Sequence, residues 1–377
     1  MPPDRDTTRL HVTYRITCAD GEDPAARARD IAYEQTVELP ADSVPPAVAA
    51  RTVGRIETLE PAGDERWRAV ISFDAGIVGA DDVPQLLNLL FGNISLKAGI
   101  ELTGLEWPDA LLDQLGGPRF GIDGLRSLTG VGARRPLLCA AVKPLGLPVE
   151  ALADICYRFA SGGIDIIKDD HSLSDQAVAP FSERVGRCQE AVVRANRETG
   201  GTSLYFPNVT GPAAALLERA DLARRTGCRG VLVSPLLVGL DAIRCLAAGS
   251  ELAVMAHPSL AGVFFHERHG IAPAVLLGEL FRVVGSDAVI YPNVAGRFTL
   301  SRATCEAINA SLRKPLGSLK PAFPVPAGGI DTARVPEWID RYGVDTMFLI
   351  GGSLYAQRDL ARAAGDLLDV VRRHCDG

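Results

Sequence analysis

LLCAAVKPLGLPVEALADICYRFASGGIDIIKDDH, residues 137–171, decides how this chain is read. It opens on an apolar β-rich run, passes through an amphipathic segment of helix length from Pro148 to Ser161, and closes on a second apolar run, IDIIK (164–168). Strands that are apolar on both faces and alternate with helices imply a parallel sheet covered on both sides. The unit then repeats to the C-terminus. Further runs are SLYFP (203–207), GVLVS (230–234), LAVMA (252–256), DAVIY (287–291), AFPVP (322–326) and TMFLI (346–350). Helix candidates lie between and after them at Phe181–Glu198, Ala213–Thr226, Gly239–Ala248, Ala274–Val284, Ser301–Leu312, Val335–Tyr342 and Leu360–His374. Eight such units predict a (β/α)8 barrel. A doubly wound open sheet is the alternative, but no GxGxxG follows the first strand.

Upstream the pattern differs. Leu10–Ile16, Thr52–Leu59 and Trp67–Phe73 alternate like strands and Val83–Phe91 reads as a helix, which predicts an α+β unit of ferredoxin-like type built on an antiparallel sheet. The stretch from Leu115 to Arg135 is rich in turn residues and reads as a connection. The expected division is an N-terminal domain over 1–132 and a barrel over 133–377.

Composition narrows the function. At 47% hydrophobic and 23% charged residues the 377-residue chain is ordinary globular protein. A net charge of -7 gives no general attraction for nucleic acid or an anionic membrane, so neither is expected as a partner. The charged opening, MPPDRDTTRL, has no apolar leader core, and no run approaches a bilayer span, so a cytoplasmic protein is expected. Eight cysteines are scattered without ligand spacing and read as buried thiols of a reducing compartment.

In a barrel of this kind the chemistry sits where the strands end. Here the ends carry Lys143; Lys168, Asp169, Asp170 and His171; Asn208 and Thr210; Ser234; His257; Asn293 with Arg297 beyond; Gly328-Gly329; and Gly351-Gly352-Ser353. Alternation sends Lys168 and Asp170 into the mouth, Asp169 to the opposite face and His171 into the following loop. A carboxylate and an imidazole there suit a divalent cation such as Mg2+ or Mn2+, with the lysine either a charge partner or converted to a carboxylate. Taken alone, the tetrapeptide would read as a lysine salt-bridged to its neighbours. The glycine pairs let backbone N–H groups approach a phosphate. Lys143 suits a general base with lowered pKa, or else a snorkelling surface lysine. His257 is a proton carrier or hydrogen-bond donor to substrate, or equally a structural histidine. FFHERHG (264–270), with His266 and His269, reads as a flexible surface loop rather than a ligand pair.

With GGIDIIKDDH (162–171) and VKPLGL (142–147), the sequence resembles the RuBisCO large-chain superfamily from LHVTYRI (10–16) to FLIGGS (348–353). The resemblance implies that Lys168 is carbamylated with CO2 and binds Mg2+ with Asp170, and that Lys143 moves protons during enolisation. Asn208, at the end of the third strand, is read from its place in the ring as a substrate contact; the resemblance implies that His257 is a catalytic strand-5 histidine, that Gly328, Gly329, Gly351 and Gly352 hold the substrate's phosphate, and that Glu34 and Asn93 complete the neighbouring subunit's site in a homodimer or larger assembly of dimers. His171 stands where RuBisCO has a glutamate ligand, Pro258 where it has a phosphate-binding arginine, Ile290 where it has a strand-6 histidine, and Arg297 where its mobile-loop lysine positions CO2. The lysine segment is also one residue shorter. These departures imply a non-fixing, RuBisCO-like (type IV) enzyme that forms an enolate from a phosphorylated keto sugar acid. The resemblance points first to decarboxylation or transcarboxylation with hydrolysis of 3-oxo-isoapionate 4-phosphate. The alternatives are a methionine-salvage enolase or isomerase, acting on 2,3-diketo-5-methylthiopentyl-1-phosphate or 5-methylthioribulose-1-phosphate, and a non-catalytic sugar-phosphate-binding or regulatory barrel.

Overall fold

The computed structural model describes residues 8–63, 65–79, 81–294, 296–298 and 300–376, so the charged opening stretch 1–7 lies outside the described residues. Alternating apolar side chains make Arg9–Thr17 (β1) a strand that buries Leu10, Val12, Tyr14 and Ile16 on one face. With Arg55–Pro61 (β2), Arg66–Asp74 (β3) and Ile100–Glu106 (β4) it forms an antiparallel sheet in the order β4-β1-β3-β2. The helices Pro24–Glu34 and Val83–Phe91 complete the βαββαβ order of the expected ferredoxin-like unit. β4 went unread in the sequence, and Thr52, expected to open a strand, instead ends the helix Pro46–Thr52. β2 is an exposed edge whose charged residues discourage further pairing.

The eight apolar runs are the eight barrel strands. They are Leu137–Val142 (β5), Ile166–Asp169 (β6), Leu204–Phe206 (β7), Gly230–Val233 (β8) and Ala253–Ala256 (β9), followed by a hairpin, Phe265–His266 (β10) and His269–Ile271 (β11), and then Ala288–Pro292 (β12), Phe323–Ala327 (β13) and Met347–Ile350 (β14). The barrel strands pair in parallel in the order β7-β6-β5-β14-β13-β12-β9-β8. Leu232 N–H donates to the Pro207 carbonyl and Val209 N–H to that of Leu232, each at 2.9 Å, which joins β7 to β8 and closes the ring. Leu137, Cys139, Ala141, Ile166, Phe206 and Met255 point inward to one core, while Leu138, Ala140, Val142 and Ile167 pack outward against the helices.

Two readings of connecting segments are corrected. The stretch from Leu115 to Arg135 is not merely a connection. It contains the helix Gly121–Thr129, whose Ile122 and Leu125 join the inward core and stopper the barrel. Asp287, at the start of β12, accepts N–H groups from Phe120, Gly121 and Val254 at 2.6, 2.7 and 2.8 Å, so one buried carboxylate holds the stopper to two strands. Gly121 has φ 62°, and a Cβ there would sit 2.7 Å from the Pro321 carbonyl oxygen. FFHERHG is likewise not a loose loop, because β10 and β11 extend the N-terminal sheet beside β4. Strand order there is set by residues more than 160 positions apart, which no local pattern reveals.

Replacing Asp287 with Asn presents an N–H group where a backbone donor needs an acceptor. Urea unfolding of Asp287→Asn is expected to show a loss of about 1–3 kcal/mol relative to the parent.

Candidate active site

Inward parity continues past the ends of the strands. Ala141 leads to Lys143, Ile166 to Lys168 and Asp170, and Met255 to His257, so these side chains share the barrel mouth. Lys168 is 2% exposed, and its ammonium nitrogen has one hydrogen bond, 3.1 Å to the Asp169 carbonyl. Burial pushes this amine below the usual lysine range.

The two aspartates that follow have opposite surroundings. Asp169 faces the helix layer, where it takes the Tyr205 hydroxyl at 2.7 Å, the Asn208 N–H at 3.0 Å and the Arg184 guanidinium at 3.2 Å. Arg184 also donates to the carbonyls of Ala179 and Ser174, at 2.8 and 2.6 Å, which ties down the loop after β6. Asp170 faces the mouth, with Lys143 Nζ at 2.8 Å and His171 Nδ1 at 3.2 Å from the same carboxylate oxygen. Burial alone would raise the Asp170 carboxyl, but the bonds from His171 and Lys143 outweigh it and hold the group well below the carboxylate range.

His171 and His257 lie face to face, with ring centroids 4.4 Å apart and planes 4° from parallel. Burial, with Lys168 and His171 nearby, depresses His257 and keeps it neutral. Its Nδ1 contacts Ser259 Oγ at 2.8 Å. A neutral imidazole beside a carboxylate-bound one can relay a proton or hold a substrate oxygen.

Gly328 and Gly329 have φ 98° and 66°, and a Cβ on Gly328 would approach the Gly296 Cα at 3.0 Å. Nothing lies within 4 Å of a Cβ on Gly351 or Gly352, so that turn is open to a ligand. Asn208 is placed differently from a substrate-facing residue. Its amide donates to the His171 and Leu173 carbonyls at 2.9 and 3.1 Å and accepts from Thr210 N–H, so it braces the loop that carries His171. Asn293 is turned outward, accepting from the Tyr342 hydroxyl at 2.9 Å. Arg297 is exposed, with its guanidinium over the ring of Phe298, itself 74% exposed. Glu34 and Asn93 meet away from the barrel strands: Asn93 donates to Glu34 at 3.2 Å, and Lys97 binds Glu34 and Asp30 at 2.8 Å.

Two residues with clear structural roles were missed in the sequence. The Tyr355 hydroxyl accepts Lys143 N–H at 2.8 Å and donates to the Ala141 carbonyl at 2.9 Å, fastening the Gly351-Gly352 turn to the strand end that bears Lys143. Arg184 is the other. A tyrosine just after a glycine pair at a strand end was a legible sign, whereas an arginine on a helix was not.

Among the described residues no three His, Cys, Asp or Glu side chains converge as a metal site. The donors present nevertheless fit a hard divalent ion, because Asp170 and His171 are adjacent and burial lowers the Lys168 amine toward the neutral form that reacts with CO2, which would supply a third, anionic ligand.

Comparison with known proteins agrees with this geometry. Residues 121–367 match the catalytic domain of the ribulose bisphosphate carboxylase large chain. The chain is 42% identical over 355 residues to 5-methylthioribulose-1-phosphate isomerase of Rhodospirillum rubrum, covering 94% of this chain and 93% of that one. It is 37% identical over 324 residues to 2,3-diketo-5-methylthiopentyl-1-phosphate enolase of Geobacillus kaustophilus, covering 84% and 78%. The crystal structure of a RuBisCO-like protein from Rhodopseudomonas palustris matches with a TM-score of 0.88 at 39% identity, over 97% of this chain and 98% of that one. This chain belongs to the RuBisCO large-chain family and groups with its RuBisCO-like members.

Replacing Arg184 with Met leaves Asp169 buried and without its cation. Denaturant unfolding of Arg184→Met is expected to show a loss of about 3–5 kcal/mol. Tyr355→Phe removes two neutral hydrogen bonds and should cost about 1–3 kcal/mol in the same measurement.

Proposed function

We propose that this protein is an enzyme that enolises a phosphorylated keto sugar, with 5-methylthioribulose 1-phosphate as the favoured substrate and isomerisation as the reaction. The observation that carries this reading is the Lys143–Asp170–Lys168 cluster, which sets a proton-moving ammonium beside a buried amine at the open mouth of the barrel. The full-length similarity to an isomerase of that substrate supports the choice. Phosphate binding falls to the Gly328-Gly329 turn and to the Gly351-Gly352 turn, whose backbone leaves room for an anion.

A Mg2+ ion held by Asp170, His171 and a carbamate on Lys168 would stabilise negative charge on the substrate's enolate oxygen. Once its pairing with Asp170 is relaxed and its ammonium has given a proton to solvent, the free Lys143 amine takes the proton from the carbon beside the carbonyl, and neutral His257 lies where it can hydrogen-bond the substrate oxygens. Asn208 and Tyr355 keep the strand ends in register. A second reading, decarboxylation of 3-oxo-isoapionate 4-phosphate, rests on the KDDH tetrapeptide and the shortened VKPLGL segment. Loss of CO2 from a β-keto acid gives the same kind of enolate, which Lys143 can reprotonate.

In D2O with Mg2+ and bicarbonate, the protein is expected to exchange the α-proton of 5-methylthioribulose 1-phosphate and convert it to an isomer. Lys143→Ala should lower the rate by about 10²-fold or more. Loss of labelled carboxyl carbon from 3-oxo-isoapionate 4-phosphate, without exchange on the methylthio sugar, would transfer the assignment to the second reading. Turnover of neither substrate, with thermal protection by sugar phosphates intact in Lys143→Ala and Lys168→Ala, would leave a binding protein.

We infer from the family resemblance a dimer in which Glu34 and Asn93, paired on the N-terminal unit, complete the neighbour's site. Co-expressed Lys168→Ala and Asn93→Ala subunits, each inactive alone, should regain about one quarter of parental activity, since random pairing gives one intact site in each mixed dimer.

A further inference from the structure

The loop leaving β9 at His257 does not run straight back to the helix layer. It turns at Leu260, whose φ of 71° is uncommon for a residue with a branched side chain, and then forms β10 and β11 within the N-terminal sheet. Gly270 closes that hairpin at φ 110°, where a Cβ would stand 2.1 Å from the Phe264 carbonyl oxygen. Ala272 N–H then donates to the Leu102 carbonyl of β4 at 2.9 Å. One stretch of about 15 residues is thus fixed at one end by the barrel and at the other by the sheet.

His269 is the point where this stretch meets the turn Asn93–Leu96. Its Nε2 lies 3.0 Å from the Ser95 carbonyl oxygen. A carbonyl only accepts, so Nε2 carries the hydrogen, and Nδ1 is the bare nitrogen that is buried without a partner. The ring lies against Phe91, centroids 5.6 Å apart, at the end of the helix that leads into the turn. From the other side Gln35 holds the same turn, accepting Ile94 N–H at 3.1 Å and donating to the Asn88 and Leu89 carbonyls at 2.7 and 2.9 Å. Asn93 is therefore carried on a turn clamped between Gln35 and a histidine of the strand-5 loop. The exposed pairs Arg66–Glu267 and Arg268–Glu65, at 3.7 and 3.8 Å, add little to this clamp.

We propose that His269 is a positioning residue that couples the His257 loop of a subunit's own site to the Asn93 turn, and through Asn93 to the site of the neighbouring subunit. The second half of this coupling rests on the reading above that Asn93 serves the partner's site. The link runs from the turn through the His269 hydrogen bond and the Phe91 ring to β11, and back along the β10–β11 hairpin to the loop bearing His257, so displacement of the turn by ligand next door is transmitted to that loop.

Hydrogen–deuterium exchange on the full-length assembly tests the coupling within a subunit. In His269→Ala, amides of 93–97 and of 259–264 should exchange about tenfold faster together, as loss of one hydrogen bond implies. His269→Gln, whose side-chain N–H can still reach the Ser95 carbonyl, should restore most of the protection. Faster exchange confined to 265–271, or no rescue by Gln, would overturn the proposal. The coupling between subunits is read in the Lys168→Ala with Asn93→Ala mixture by adding His269→Ala to the Lys168→Ala chain, whose own site is already dead. The kcat on 5-methylthioribulose 1-phosphate should then fall several-fold and recover with His269→Gln; an unchanged kcat would sink the link through Asn93. If the parent mixture regains no activity although the wild-type protein turns over that substrate, the shared-site reading fails, and the exchange data alone judge the coupling inside the subunit. If the wild-type protein does not turn it over, the exchange data are again the judge.

Discussion

The pleat of β6 sorts three consecutive charged residues into two environments, and the site depends on that separation. Lys168 and Asp170 face the mouth, and Asp169 faces the helices. Were the strand shifted by one residue, Asp169 would enter the mouth and Lys168 would be driven among apolar side chains without a partner. Arg184 and Tyr205 make the observed register favourable, because they give the outward carboxylate a cation and a hydroxyl. An amine that is both desolvated and next to a carboxylate can exist at the mouth only because its neighbour's charge is neutralised on the other side.

Around this strand the polar residues divide into those that face the mouth and those that hold the loops. Asn208, Arg184 and Tyr355 use their hydrogen-bonding capacity on backbone groups, which fixes where His171 and Lys143 stand. Such bracing matters because a catalytic group on an unsupported loop loses the geometry that makes it effective. Ile290, where the resemblance sets a histidine in RuBisCO, is instead part of the inward apolar core. Arg297, set against the mobile-loop lysine, stays exposed. At neither position does this chain present the group that the resemblance sets there in RuBisCO.

The N-terminal unit is joined to the barrel by more than the chain connection. A hairpin from the barrel's fifth loop becomes the edge of its sheet, and Trp107 donates to Glu279 at 3.1 Å across the same junction. With Leu96 87% exposed beside the clamped turn, the surface next to Asn93 presents an apolar side chain to solvent.

The sequence by itself determined the barrel, since eight apolar runs spaced by amphipathic helices have few other ways to bury both faces. It also determined which side chains reach the mouth: strand parity carries Lys143, Lys168, Asp170 and His257 inward from residues whose burial is plain in their own runs. Only the tertiary structure decided what those groups touch. That Asn208 braces a loop, that Asn293 turns outward, that residues 121–129 stopper the barrel and that His269 clamps the Asn93 turn all follow from contacts between distant segments. Local periodicity records which face of an element is apolar, but not which remote backbone group will meet its polar atoms, because that depends on how the whole chain packs.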